Sequence, residues 1–190
     1  MRWFQEGAAL GHGPSIVNVG AMHMAGIDIP RDFAKAKELF EKAAAMGEGS
    51  GFFKMGVMHL MGVGVERNLE KAKALLLKAE ETGSPTSLAG MGTLYLRGAF
   101  GKPDYSKGRS LLERAADVGG NADATCNLGV LYQSGRGGAV DLEEARRLFE
   151  KASAKGHATA HHQLADMYQN GAGGLPKDDR KALELLEKAA

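Results

Sequence analysis

The sequence predicts an all-α protein built from a helical hairpin that repeats along the chain. Small residues recur at intervals of 36, 36, 37 and 36 residues: Gly20, Gly56, Gly92, Gly129 and Ala165. A second glycine follows each of them after six residues: Gly26, Gly62, Gly98, Gly135 and Gly171. A run of apolar residues with a helical period comes next in every unit. Self-similarity at a fixed period indicates a repeat architecture, so the array itself is the fold.

The first helix of each hairpin is predicted to lie just before the second glycine. The five segments are residues 15–25, 51–61, 87–97, 124–134 and 160–170. Each has its small residue near the middle, where a glycine costs about 1 kcal/mol relative to alanine. We expect the small residue to let the second helix approach closely, so that packing compensates for the poor helix propensity.

The second helix of each hairpin is predicted to begin at a capping side chain. These side chains, which accept a hydrogen bond from a first-turn amide, are Asp32, Asn68, Asp104, Asp141 and Asp178. Apolar residues follow at helical spacing, as in Ala145, Leu148, Phe149 and Ala152. The helices are expected to end at left-handed glycines: Gly47, Gly83, Gly119 and Gly156. Single-residue insertions at Gly120 and within 172–177 are expected to fall in connections.

The combined pattern resembles the Sel-1-like repeat. Its first helix has the form LG-x-x-Y-x-x-G and its second D-x-x-x-A-x-x-L-[FL]-x-x-A. The fourth unit carries it in full: Leu128, Gly129, Tyr132, Gly135, Asp141, Ala145, Leu148, Phe149, Lys151, Ala152 and Gly156. Tetratricopeptide repeats are shorter, at 34 residues, and lack the long glycine-bearing loop. The resemblance covers residues 12–190 and implies a right-handed α/α superhelix of about five repeats plus a half repeat.

The repeats are predicted to form one solenoid domain over residues 1–190. Its units are residues 12–47, 48–83, 84–120, 121–156 and 157–190, and residues 1–11 form the end of a preceding repeat. No polar capping helix closes either end, so we expect this chain to be a piece of a longer array. Further repeats or subunits are expected to cover the two ends.

Three positions depart from the repeat pattern. The aromatic position held by Tyr95, Tyr132 and Tyr168 is His23 and His59 in the first two units. Gly108 replaces the first alanine of the third unit's second helix. We expect these three units to be somewhat less stable, and each histidine to be a partly buried ring with one satisfied nitrogen.

Charge and composition argue against several classes of partner. The 24 basic and 23 acidic residues give a net charge of +1, so no nucleic-acid partner is predicted. The sequence has no signal-peptide pattern and no apolar run long enough to span a bilayer, which predicts a soluble chain without direct membrane insertion. The compartment stays open, either cytoplasmic or the lumen of an organelle, as part of a complex. The single cysteine, Cys126, excludes an internal disulfide.

No catalytic or cofactor motif is present, so we predict a protein that is not an enzyme and binds no cofactor or metal. Gly62-Val63-Gly64 lacks the third glycine of a dinucleotide fingerprint, and no G-x-S-x-G motif occurs. His157, His161, His162 and Asp166 are interpreted as surface groups at a repeat junction, because their i,i+4 pairs point in different directions. Some relatives that pair two cysteines in each repeat bind or cleave β-lactams. With Cys126 alone, that activity does not transfer to this chain.

The candidate binding surface is the concave face, which the first helices should line. The expected positions lie three residues before each small residue and one, four or five after it. They are Val17, Ala21 and Met24; Phe53, Val57, Leu60 and Met61; Leu96 and Arg97; Gln133; and His162, Asp166 and Gln169. This face changes from apolar to polar along the chain. Its apolar side chains either pack against neighbouring helices or form a groove for a helix or extended segment of a partner.

The resemblance implies scaffold or adaptor work in multiprotein complexes, including membrane-associated ones, through a protein partner. An alternative is an architectural subunit held by its uncapped ends, through Trp3, Phe4 and the Leu185/Leu186 face. A third, less favoured hypothesis is a hydrolase of the β-lactamase-like type.

Overall fold

The computed structural model describes residues 2–189, which form eleven helices and no β-strand. The fold class predicted from the sequence, an all-α array of helical hairpins, is confirmed. The helices are α1 (Arg2–Ala9), α2 (Gly13–Ala25), α3 (Phe33–Ala45), α4 (Gly49–Met61), α5 (Leu69–Glu81), α6 (Pro85–Leu96), α7 (Tyr105–Gly119), α8 (Ala122–Ser134), α9 (Leu142–Ser153), α10 (Ala158–Asn170) and α11 (Asp179–Ala189).

The first helices begin two residues earlier than predicted. One extended residue, such as His12 (ψ 109°) or Glu48 (ψ 111°), separates the left-handed glycine from the next helix. The connection is therefore shorter than expected. Pro14 occupies the first turn of α2, where its missing amide hydrogen costs no helical hydrogen bond.

All five predicted caps of the second helices are confirmed. In each case a side-chain oxygen accepts a hydrogen bond of 2.8 or 2.9 Å from the amide three residues later. The capping residues are Asp32, Asn68, Asp104, Asp141 and Asp178. The start of every second helix is thus fixed by a local interaction.

The ends of the second helices agree with the prediction except in the third hairpin. Gly47, Gly83 and Gly156 have φ of 83°, 66° and 77°. In the third hairpin α7 continues through Gly119, and Gly120 takes the left-handed conformation with φ 53°. Because either glycine tolerates this conformation, the inserted residue lengthens the helix instead of the connection.

The chain divides into two compact units, one ending at Ser87 and the other beginning at Leu88. In the first unit α2 packs on α3 and α4 packs on α5. The core of this unit is built around Phe40, Ile16 and Met58, none of which is exposed. A Cβ at Gly20 would lie 2.6 Å from Cε1 of Phe40, so only a residue without a side chain permits this approach of α2 and α3.

In the second unit α8 packs on α9 and α10 on α11, around the fully buried Phe149. A Cβ at Gly129 would lie 2.6 Å from Cε1 of this ring, as at Gly20 in the first unit. Gly108 has a packing reason of its own, because a Cβ there would lie 2.6 Å from Cδ2 of Leu96. Leu96 therefore fills the space that the missing alanine methyl would occupy.

Candidate functional site

The predicted concave residues of the first unit differ in exposure. Val17 and Leu60 are buried, with exposed fractions of 6% and 5%, and they contribute to the core. Met61, next in sequence to Leu60, is 60% exposed. The other four are partly buried: Ala21, Met24, Phe53 and Val57.

A groove of about 390 Å³ lies on the first-helix side of this unit, and we call it the unit-1 groove. Three of the predicted residues line it: Val17, Ala21 and Phe53. Its other lining residues are Pro14, Asn18, Glu48, Ser50, Lys54, Ser84 and Thr86. An apolar patch is therefore bordered by hydroxyl groups and by one charge of each sign.

Lys54 is the basic residue of the groove. Its side chain is partly buried, and desolvation lowers its pKa below the ordinary value. Within residues 2–189 it makes no ion pair or hydrogen bond. Lysines on α3 behave differently, since Lys35 and Lys37 pair with Glu38 and Glu41 at 2.8 and 3.4 Å. Lys54 thus brings into the groove a positive charge that no carboxylate contacts at ion-pair distance in the described part of the chain.

Glu48 is the acidic residue of the groove. Its side chain covers Gly13 at the start of α2, since a Cβ on that glycine would overlap it. It caps no amide of α4 with its side chain. Glu48 therefore closes the α2 side of the groove and is directed at Gly13.

Sequence reasoning missed Lys54. It lies two residues before the small residue Gly56, outside the positions expected on the concave face. A signal was available, because Lys54 is the single Lys, Arg, Asp or Glu in α2, α4 and α6 together. This isolated charge in otherwise uncharged helices marks Lys54 as a candidate binding residue.

The first helices of the second unit present a polar surface. His162, Asp166 and Gln169 are exposed on α10, and Arg97 is exposed beyond the end of α6. Gln133 and Leu96 are partly buried, the latter against Gly108. Cys126, which occupies the repeat position of Phe53, is only 1% exposed. Burial, assisted by the nearby Asp123 carboxylate, raises the pKa of its thiol to about 11.

Two contacts join neighbouring hairpins in this unit. Nε2 of His157 lies 3.0 Å from Oδ1 of Asp123, and Lys155 Nζ donates to the carbonyl of Gly120. His157 also caps α10, since its Nδ1 accepts from the amide of Ala160 at 3.2 Å. The imidazole is thereby used on both nitrogens as a structural bridge.

The remaining histidines lie in separate environments. His59 is 7% exposed and its Nδ1 donates to the carbonyl of Glu66 at 3.2 Å, which agrees with a partly buried ring having one satisfied nitrogen. Nδ1 of His23 and Nδ1 of His161 are buried without a hydrogen-bond partner in the described part of the chain. His161 is only 7% exposed, so its interpretation as a surface group is wrong, because it faces the packed side of α10, whereas His162 and Asp166 are exposed. Residues 2–189 contain no group of three His, Cys, Asp or Glu side chains that could hold a metal ion.

The two ends of the described chain differ. Trp3, Phe4 and Leu10 on and after α1 are 83%, 43% and 88% exposed. On α11 the predicted Leu185/Leu186 face is packed, because Leu185 is 9% exposed and Leu186 contacts the same core cluster. No helix within residues 2–189 combines the length and apolarity needed to cross a membrane.

The model of the Sel1 repeat family matches residues 1–12, 14–48, 53–84, 85–120, 122–157 and 158–190. No curated protein matches the sequence. A Sel1 repeat protein from Oxalobacter formigenes is similar in structure, with a TM-score of 0.75 and 25% identity over 93% of this chain and 70% of its own.

Two further solved structures are similar. A protective antigen of uropathogenic Escherichia coli with the SLR fold has a TM-score of 0.74 and 28% identity; the match covers all of this chain but 40% of the antigen. An immunity protein from Pseudomonas aeruginosa shares the fold, with a TM-score of 0.68 and 20% identity over 98% of this chain and 72% of its own. With family matches along almost its whole length and these neighbours, the chain belongs to the Sel1 repeat family.

Proposed function

We propose that this chain is a protein-interaction module that binds a segment of a partner protein through the first helices of its hairpins. The Sel1 repeat fold is commonly an interaction module and typically a non-catalytic scaffold. The finer assignment, to a partner segment and a particular face, is ours. Val17, Ala21, Met24, Phe53, Val57, Leu60 and Met61 form its apolar part, and Leu96, Arg97, Gln133, His162, Asp166 and Gln169 form its polar part.

The observation that carries this proposal is the unit-1 groove. Phe53 lines a space of about 390 Å³ and is partly buried, while Leu60 on the same helix is 5% exposed and belongs to the core. The two interpretations of the apolar face therefore apply to different residues. Leu60 packs inside the unit, whereas Phe53 has open space beside it. Aromatic residues, Phe included, are enriched at protein interfaces relative to the rest of the surface.

Photo-crosslinking tests this proposal. A benzoylphenylalanine at position 53 keeps an aromatic ring in the groove and reacts with whatever contacts it. The matched control carries the same group at Leu77, which is 52% exposed on the second helix α5 of the first unit and lies outside the proposed face. We expect a partner protein to be captured from native lysate at position 53 far more than at position 77.

Phe53→Lys provides the quantitative arm of the test. It should weaken binding of the captured partner by about 2 kcal/mol or more, because it places a charge on an apolar anchor. Helical circular dichroism should stay unchanged, since Phe53 lies outside the buried core. Equal loss of helicity and binding would contradict the groove as a recognition site.

A second candidate function is an architectural subunit held through an exposed end. Trp3 and Leu10 favour it, with exposed fractions of 83% and 88% at the α1 end. It predicts that the chain self-associates and that Trp3→Glu with Leu10→Glu gives a monomer in analytical ultracentrifugation. A monomeric wild-type chain at micromolar concentration would argue against association through copies of this end.

A further inference from the structure

The unit-1 groove has an apolar side chain and a basic side chain next to each other, and this pair limits which protein segments can bind there. Phe53 and Lys54 are consecutive on α4 and both line it. The groove therefore offers an apolar surface and a cationic group side by side. This inference deepens the proposed function and rests on it.

The charge of Lys54 is not used within the described structure. Its side chain is partly withdrawn from water, and within residues 2–189 no carboxylate lies within ion-pair distance of its Nζ. Desolvation lowers its pKa, and no hydrogen bond or ion pair within the described residues offsets this effect. An incoming carboxylate would replace the lost hydration and bond to the ammonium group.

The rest of the lining fits a peptide. Ser50 and Thr86 place hydroxyl groups at the starts of α4 and α6, where they can bond to backbone amides or carbonyls. Val17 and Ala21 on α2 are apolar residues of the lining. The Glu48 side chain lies against Gly13 and does not pair with Lys54. Its carboxylate repels acidic groups at the α2 edge of the groove, whereas Lys54 attracts them on the α4 side.

We propose that the unit-1 groove binds an internal protein segment in which an Asp or Glu adjoins a large apolar residue. The carboxylate pairs with Nζ of Lys54, and the apolar side chain packs against Phe53, Val17 and Ala21. The side chain of an internal residue is the proposed source of the carboxylate, and a free chain terminus is the alternative that the test separates.

A display library of random internal heptapeptides, selected on the whole chain, tests this proposal. We expect the enriched sequences to contain Asp or Glu next to Leu, Phe, Tyr or Trp. Selection on Lys54→Glu should replace the acidic residue by Lys or Arg and keep the apolar one. Selection on Phe53→Lys should remove the apolar preference. Circular dichroism of each variant, and Lys54→Gln as a milder substitution, separate changes of specificity from loss of fold.

The most enriched peptide is then measured by fluorescence anisotropy both as its C-terminal amide and with a free C-terminal carboxylate. Replacing its Glu by Gln, or Lys54 by Gln, should weaken binding about tenfold each, and the two together no further. Raising the salt concentration should weaken the wild-type complex more than the Lys54→Gln complex. A charge-reversed peptide should recover affinity on Lys54→Glu.

The outcomes separate the inference from the proposed function. Apolar motifs without an acidic residue, lost in Phe53→Lys, overturn the inference and leave the groove as a binding site. Binding that needs a free C-terminal carboxylate overturns the assignment to an internal side chain. A library without enrichment, or enriched peptides indifferent to Phe53→Lys, contradicts both.

Discussion

The two units of the chain have the same hairpin interior and different edges between hairpins. In the second unit His157 and Asp123 bridge neighbouring hairpins at 3.0 Å. The equivalent positions of the first unit are Glu48, eight residues before Gly56, and Pro14, six residues before Gly20. Proline has no side-chain polar group, so no such bridge forms, and both residues instead line the unit-1 groove. The repeat thus specifies the hairpin, while a few edge positions decide whether a groove opens between hairpins.

The shared interior predicts the largest effect. Phe40→Ala and Phe149→Ala each remove a fully buried ring that packs on a helix-interior glycine. We expect each to lower the free energy of unfolding by about 3–5 kcal/mol, because the ring is lost and a cavity remains. Urea denaturation measures the loss, and hydrogen exchange resolves which unit is affected.

A difference of more than about 2 kcal/mol between the two variants would contradict the equivalence of the two interiors. Met46→Ala serves as a surface control, since Met46 is 50% exposed on the first unit. It should change stability by less than about 0.5 kcal/mol.

The next prediction compares Cys126 with Phe53, which occupies the same repeat position in the other unit. Cys126 is 1% exposed, and the pKa of its thiol is raised to about 11, from an ordinary value of 9.0. At pH 8 its thiolate fraction is therefore roughly 100-fold lower than that of an ordinary thiol. In the variant Phe53→Cys, the introduced thiol should react fast with a disulfide reagent and the thiol of Cys126 should react slowly.

The two rates should differ by at least about 100-fold in native buffer and become equal in urea, where both thiols are exposed. The slow rate should rise with pH towards 11, since the thiolate is the reactive form. Equal native rates would mean that the first unit is as closed at this position as the second.

The bridge itself predicts a smaller effect. His157→Ala removes both the cap of α10 and the contact with Asp123. We expect a loss of about 1 kcal/mol in the free energy of unfolding, as for other N-cap substitutions. His162→Ala, at an exposed position of the same helix, should lie within about 0.5 kcal/mol of wild type. If His162→Ala lowered the free energy of unfolding and His157→Ala did not, the contact between His157 and Asp123 would not stabilise the second unit.

Local interactions explain why so much of the fold could be predicted from the sequence. Asp32 and its counterparts cap their own helices, and Gly20 is required by the close packing of α2 on α3, the next helix in the chain. The rotation of each helix about its own axis was harder to predict from the sequence, because it depends on how the helices pack. Leu60 and Met61 were both expected on the concave face, yet one is 5% and the other 60% exposed. The same rotation brings Lys54 into the groove, at a position that the repeat pattern did not single out.

The smallest predicted effect concerns the charge of Lys54. Its pKa in the folded chain lies below 10.5, so folding is opposed while the ammonium group is charged. Between the lowered pKa and 10.5 the unfolded chain holds more protons, and this contribution to stability rises with pH. Lys54→Met should therefore be slightly more stable than wild type at pH 7, with a gap that narrows as the pH approaches 10.5. Thermal denaturation across this range measures the gap, with Lys35→Met as the control because Lys35 is exposed and paired with Glu38. A wild type more stable than Lys54→Met at pH 7 would mean that the groove already neutralises its lysine, and would weaken the case for an acidic ligand.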